Sequence, residues 1–214
     1  MKKSIFFVLS TFVATTALAT TPISLPTPQQ RIGMDLMEAL QQRQSIRNFS
    51  SDSLSYQELS DVLWAAFGIN RPETGKRTAP SAMNRQEIQI YAALASGLYR
   101  YDASGHQLIK VSDKDIRSDT GRQDWVAQAP LNLIYVSDFS QLDRGDDTAK
   151  KLISSTNAGF IGQNVYLYCA AAGLATVVRG GFDEQMLAKS MQLPEHMKII
   201  LTQTVGHRAS ASNP

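Results

Sequence analysis

Four short segments carry the polar and cationic groups that could hold a flat, anionic ligand. In Arg43-Gln44-Ser45-Ile46-Arg47-Asn48-Phe49 two guanidiniums bracket a hydroxyl just past a predicted helix end. Arginine presents its donors in a fixed fork that suits phosphate and carboxylate oxygens. Ala79-Pro80-Ser81-Ala82-Met83-Asn84-Arg85-Gln86 is a turn directly before a predicted strand; it exposes backbone donors, and Asn84 offers both a donor and an acceptor. Val178-Arg179-Gly180-Gly181-Phe182-Asp183 sets paired glycines between a strand and a helix, where missing side chains let backbone approach a flat ring closely. Gly206-His207-Arg208 adds a cation after the last strand. Each has a plainer reading: a solvated turn, an N-cap, a strand-to-helix turn capped by Asp183, a solvated chain end. The chain has no H-E-x-x-H, G-x-S-x-G or phosphate-binding P-loop motif, so its chemistry does not follow those routes.

The elements that must position these segments are legible from periodicity. Leu36, Met37 and Leu40 share a helical face, with Met34 at its edge, and give a first helix ending near Gln42–Arg43. Ser55-x-x-Glu58 is a capping-box pattern opening a second helix; Leu59, Val62, Leu63 and Ala66 form its apolar face and Gly68 closes it. Residues 71–77, with Pro72 and Gly75, read as a mobile loop. Ile88 to Leu94 is a predicted strand, and two further strands flank Asp102-Ala103-Ser104-Gly105 as a hairpin. A short polar helix is expected near Ser112–Arg117, and a buried strand over Leu131–Val136 after Pro130. Thr148 to Ala172 is the longest helical stretch, and its small residues Ala158, Gly159, Gly162 and Ala170 would admit another helix closely. A strand over Leu174–Val178, a helix over Asp183–Met191 and a strand over Lys198–Thr204 complete the chain. Without regular strand–helix–strand alternation, and with a hairpin, the fold class is α+β.

Composition narrows the rest. At 214 residues and 43% hydrophobic content the chain can build one substantial core. Lys2 and Lys3, the apolar run from Ile5 to Leu18 and Ala17-Leu18-Ala19 fit a cleavable leader over residues 1–19. The run is shorter than the ~20 apolar residues of a spanning helix, so no membrane span is expected after cleavage. A Pro-rich linker over 20–31 and a single domain over 32–214 follow, and the mature protein is expected to be exported, periplasmic or secreted. The leader holds two of the 21 basic residues and none of the 19 acidic ones, which leaves 19 of each sign. A neutral chain with no basic stripe is not expected to bind nucleic acid. The single cysteine, Cys169, lies in an apolar run with no cation or histidine beside it and reads as a small core residue. His106, His196 and His207 are dispersed, with no pair at metal-ligand spacing.

The R-x-S-x-R-x-F, P-S-A-x-N-x-Q and G-G-F segments, together with Gly162-Gln163-Asn164, occur in the order of the nitroreductase-like flavoproteins, and residues 32–208 resemble that family, nearest the branch that holds SagB-type peptide-heterocycle dehydrogenases. The resemblance implies a central, mostly antiparallel sheet flanked by helices, and FMN bound at a homodimer interface. It places Arg43 and Arg208 on the phosphate, with Ser45 and Arg47 nearby toward the pyrimidine edge. Pro80, Ser81, Ala82 and Asn84 come from the partner chain, and Gly180 and Gly181 lie against the ring. Arg122 or Gln123 stands where the family often has a ring-edge donor, and Arg85 departs from the aromatic or small residue common in the second motif. The implied activity is two-electron transfer to a small electron-poor acceptor, nitroaromatic or quinone. The alternatives are dehydrogenation of a peptide or small amine, and non-catalytic flavin binding or scavenging. A Lys-Lys leader without twin arginines implies export of an unfolded chain, with FMN acquired afterwards.

Overall fold

The computed structural model describes residues 21–29 and 31–209; the expected leader lies outside them. The strands are β1 (Ile23–Ser24), β2 (Ile69–Arg71), β3 (Lys76–Arg77), β4 (Ile88–Leu94), β5 (Gly97–Asp102), β6 (Gln107–Ser112), β7 (Leu131–Asp138), β8 (Ala175–Arg179) and β9 (Met197–Gly206). All but β2 and β3 form one antiparallel sheet in the order β1-β6-β5-β4-β7-β9-β8. The helices are α1 (Leu36–Gln42), α2 (Tyr56–Phe67), α3 (Asp147–Ala171) and α4 (Glu184–Met191).

β7 shows why the sheet sits at the centre. Leu131, Leu133 and Tyr135 enter a core with Leu59, Leu63, Ile161 and Val165 from α2 and α3. Ile134 and Val136 enter a second core with Leu187 and Met191 of α4. A strand covered on both faces reads as a near-continuous apolar run, which residues 131–136 present except at the buried Asn132. α2 opens with the expected reciprocal capping box between Ser55 and Glu58 and closes at Gly68. The α+β class and the antiparallel sheet flanked by helices agree with the expectation.

Local expectations are corrected in four places. Residues 72–75 turn as expected, but Arg71 and Lys76–Arg77 pair as ends of β2 and β3, and the Arg77 guanidinium stacks on Phe67 and donates to the Phe67 carbonyl and to Gln86 Oε1. No helix forms over 112–117; Ser112 ends β6, and two 3-10 turns follow at Arg117–Thr120 and Asp124–Ala127. The expected linker contributes β1 to the sheet edge and buries Leu25, and the Pro26 carbonyl accepts from Ser60. Of the small residues of α3, Ala158, Gly162 and Ala170 are buried within the chain itself; a Cβ on Gly162 would lie 3.3 Å from Gln203 Oε1. Gly159 alone of the four faces open space.

Candidate functional site

β8 is an edge strand, and the segment after α1 lines it. The chain leaves α1 at Arg43, the Ile46 amide donates to the Thr176 carbonyl at 3.0 Å, and Phe49 bridges Arg208 beyond the end of β9. The Ser50 amide donates to the His207 carbonyl and the Ala209 amide to that of Asn48. Arg43, Ser45, Arg47 and Arg208 thereby lie along one edge of the sheet. None of the three arginines has an ion-pair partner among the described residues. Gly180 and Gly181 follow directly on the same strand. A Cβ at either would meet nothing within 4 Å, so the chain's own packing does not demand glycine there; the pair leaves open backbone past the end of β8.

Tyr166 of α3 organises this edge and was not singled out from sequence. Its phenol oxygen lies 2.8 Å from Ser45 Oγ and accepts from the Val178 amide at 3.0 Å. The Arg43 guanidinium sits 5.3 Å from the centroid of its ring, a cation–π distance.

Arg179 was also missed as a structural centre. It is 7% exposed and has no carboxylate partner among the described residues. Its guanidinium donates to the Thr120 carbonyl, Asn132 Oδ1 and Thr204 Oγ1, stacks over Trp125 at 5.5 Å, and leaves Nε unpartnered. Burial without a counter-charge pushes its pKa down to about 10. By gripping Thr120, Arg179 ties residues 120–123 to the end of β8, so exposed Arg122 and Gln123 follow a backbone anchored next to Gly180.

The second motif stands apart. Residues 80–84 are exposed or half-buried, with a 3-10 turn over Ala82–Asn84. Met83, Asn84 and Gln86 all have left-handed backbone, with φ of 53°, 54° and 52°, a strain that persists only where surroundings hold it. Gln86 does so: its amide donates to Ser81 Oγ, and its side chain donates to Asn84 Oδ1 and the Gly75 carbonyl. Asn84 keeps its own amide donors for something else. Arg85 is held by Asp143 at 2.7 Å.

α3 relates the two groups. Asn157 donates to Glu87, directly before β4, whereas Tyr166 holds Ser45 at the β8 edge. These residues are about two and a half turns apart, which puts them some 14 Å apart along the helix and on opposite sides of it. Between them α3 shows solvent a face carrying Leu152 and Phe160, 69% and 44% exposed, and Gly159. α1 leaves Leu36 and Met37, on its expected apolar face, bare as well among the described residues. A cavity of about 670 Å³ between Ser53, Tyr56, Ser96 and Arg117 contains none of the expected site residues.

The remaining candidates are structural. Cys169 is fully buried, and burial pushes its thiol up. No group of three or more His, Cys, Asp or Glu able to hold a metal occurs among the described residues, and no helix among them is long and apolar enough to cross a membrane.

Residues 40–207 match the model of the nitroreductase family. A crystal structure of a protein from Ralstonia eutropha, described as a nitroreductase, is 42% identical and superposes with a TM-score of 0.84, covering 91% of this chain and 93% of that one. A Methanocaldococcus jannaschii protein assigned by name to the nitroreductases is 27% identical, over 85% of this chain and 95% of its own. An FMN reductase [NAD(P)H] of Bacillus subtilis is 22% identical, over 83% and 68%. A match of this extent, on this sheet and edge, defines an oxidoreductase, and the chain belongs to the nitroreductase family.

Proposed function

We propose that the mature, exported protein is a homodimer that passes two electrons from a reductant through FMN to a small electron-poor acceptor of the nitroaromatic or quinone type. FMN is the cofactor, and when bound it supplies the hydride chemistry, which is why no acid–base triad is needed. The observation that carries the reading is the β8 edge: Arg43, Arg47 and Arg208, without ion-pair partners among the described residues, lie along it with Ser45, and the open Gly180-Gly181 pair follows the end of the same strand. Arg43 and Arg208 would hold the phosphate. Arg47 would favour the negative charge that reduced flavin carries, since a fixed cation stabilises charge that develops beside it.

The shared site has its own support. Residues 80–84 lead into Glu87, which Asn157 binds on the side of α3 opposite Tyr166 and Ser45, and the exposed face between carries the uncovered apolar Leu152 and Phe160. A second copy docked on that face would bring its Pro80, Ser81, Ala82 and Asn84 to the first copy's cations. Asn84, with its donors free, is suited to a ring atom that needs a hydrogen bond.

The test is to purify the mature chain, beginning at or near Thr20, add FMN, and follow the visible spectrum and turnover with a nicotinamide donor and a quinone or nitroaromatic acceptor. One flavin per protomer with turnover is expected. A protein that stays colourless overturns the reading, and one that binds FMN tightly without turning over is a scavenger instead.

A further inference from the structure

We propose that Tyr166 is a positioning residue for the phosphate end of the cofactor: it fixes the Ser45 hydroxyl as an outward-facing donor and seats Arg43 above its ring. The proposal rests on the reading of the β8 edge as an FMN site. Val178 lies on the edge strand, and its amide donates to Tyr166 Oη at 3.0 Å. A backbone N–H can only donate, so this bond sets the direction of everything after it. The phenol oxygen, its acceptor side engaged, has one hydrogen to place. Tyr166 is 8% exposed, and the only side-chain partner of its oxygen among the described residues is Ser45 Oγ at 2.8 Å. Buried donors are almost always satisfied, so Tyr166 donates to Ser45.

Ser45 then accepts from within the protein, and its own hydrogen is left to point away from Tyr166. The residue is exposed, so that hydrogen is available to an anionic oxygen arriving at the edge. Arg43, with its guanidinium 5.3 Å above the same ring, presents its donors beside it. One residue on a rigid 25-residue helix therefore anchors both a neutral and a charged donor. Preorganisation of this kind lowers the ordering cost of binding. Ser45, expected toward the pyrimidine edge, is thereby grouped with the phosphate ligand Arg43.

The test uses the mature full-length protein, with FMN and riboflavin titrated in parallel. Riboflavin has the same ring and lacks the phosphate. Tyr166→Phe should weaken FMN binding roughly tenfold and leave riboflavin binding as in wild type. Ser45→Ala, at an exposed position that should not disturb folding, should do the same. The double variant should be no weaker than either single one, because both break one relay. If Tyr166→Phe fails to fold, the Ser45→Ala comparison still decides: equal loss of FMN and riboflavin binding, or no loss of either, overturns the proposal. Additive losses in the double variant also overturn it. A wild-type protein that binds neither flavin sinks the FMN site itself, an outcome distinct from those.

Discussion

Asn157 of α3 donates a 2.8 Å hydrogen bond to Glu87, and the second oxygen of that fully buried carboxyl group has no partner. This is where α3 grips the strand that carries the 80–86 loop. Asn157→Leu should cost about 2–3 kcal/mol, since it leaves a buried polar group with nothing to bind. The loss would appear as a lower urea midpoint at unchanged slope. Replacing both members by leucine should recover most of it. A single variant as stable as wild type would show that the pair contributes nothing.

Some of this architecture is legible in the residues and some is not, for a physical reason. The capping box at Ser55, the hairpin at Asp102–Gly105 and the strand β7 announce themselves because their signals are local. Arg43, Ser45, Arg47 and Arg208, far apart in sequence, lie along one sheet edge because the segment after α1 runs beside β8 and meets the end of β9. Tyr166 gives no local signal: in Val165-Tyr166-Leu167-Tyr168 it looks like any core aromatic, and its partner Ser45 is 121 residues away. Arg179 likewise looks like a solvated strand end until the sheet places Asn132 and Thr204 around it. Leu36 and Met37 share the helical face that periodicity picks out, and periodicity cannot say whether the same chain supplies its cover.

Gly121 packs where a side chain would strike Arg179. Its backbone is extended, at φ −173°, so conformation does not require glycine; space does, because an added Cβ would collide with Arg179 Nη1. Gly121→Ala should therefore dislodge the buried guanidinium from Thr120 and cost roughly 1–3 kcal/mol. Gly180→Ala, with nothing within 4 Å of the added carbon, should leave thermal stability within about 0.5 kcal/mol of wild type. Equal effects at the two glycines would contradict this packing.

His106 ties the N-terminal segment to the domain. Its Nδ1 lies 2.8 Å from Tyr101 Oη, and its Nε2 lies 2.7 Å from Ser60 Oγ and 3.0 Å from the Pro26 carbonyl. Burial lowers its pKa, outweighing the backbone bond to Pro26 and the charge of Asp61, which raise it. A group with a depressed folded pKa contributes stability that is intact above the unfolded value, about 6.5, and is lost as pH falls toward the folded value. Melting temperature should accordingly drop between neutral pH and mild acid. His106→Asn, which tolerates the left-handed backbone at φ 45°, should flatten that dependence. A variant with the same pH slope would assign the effect to other groups.

Arg43 and Cys169 should respond oppositely. Arg43→Ala removes a cation from the proposed phosphate site and should weaken FMN binding by ~2–4 kcal/mol. Cys169→Ala removes one buried atom, costing the fold ~1 kcal/mol, and should leave flavin binding and turnover nearly intact. With its thiol buried and pushed up, Cys169 should also resist thiol reagents in the folded protein and react once it is unfolded. Small, equal effects on FMN binding would mean that the phosphate lies elsewhere.

The shared site yields the most demanding prediction. Arg43 sits over Tyr166 of α3, and Asn84 lies three residues before the Glu87 that Asn157 binds on the opposite side of that helix, so the reading assigns them to one flavin only across two chains. Arg43→Ala and Asn84→Ala homodimers should each be impaired at both sites. A heterodimer of the two has one site lacking both residues and one with both intact, so mixing should restore activity toward half of wild type per heterodimer. Recovery should follow the rate of subunit exchange, and a cross-linked homodimer mixture should show none. The uncovered Leu152 and Phe160 add a control: Phe160→Glu should block exchange and yield monomers by light scattering, with FMN affinity falling at the same time. A monomer that keeps its FMN, or folded and exchanging variants that never rescue one another, would place the complete site within a single chain.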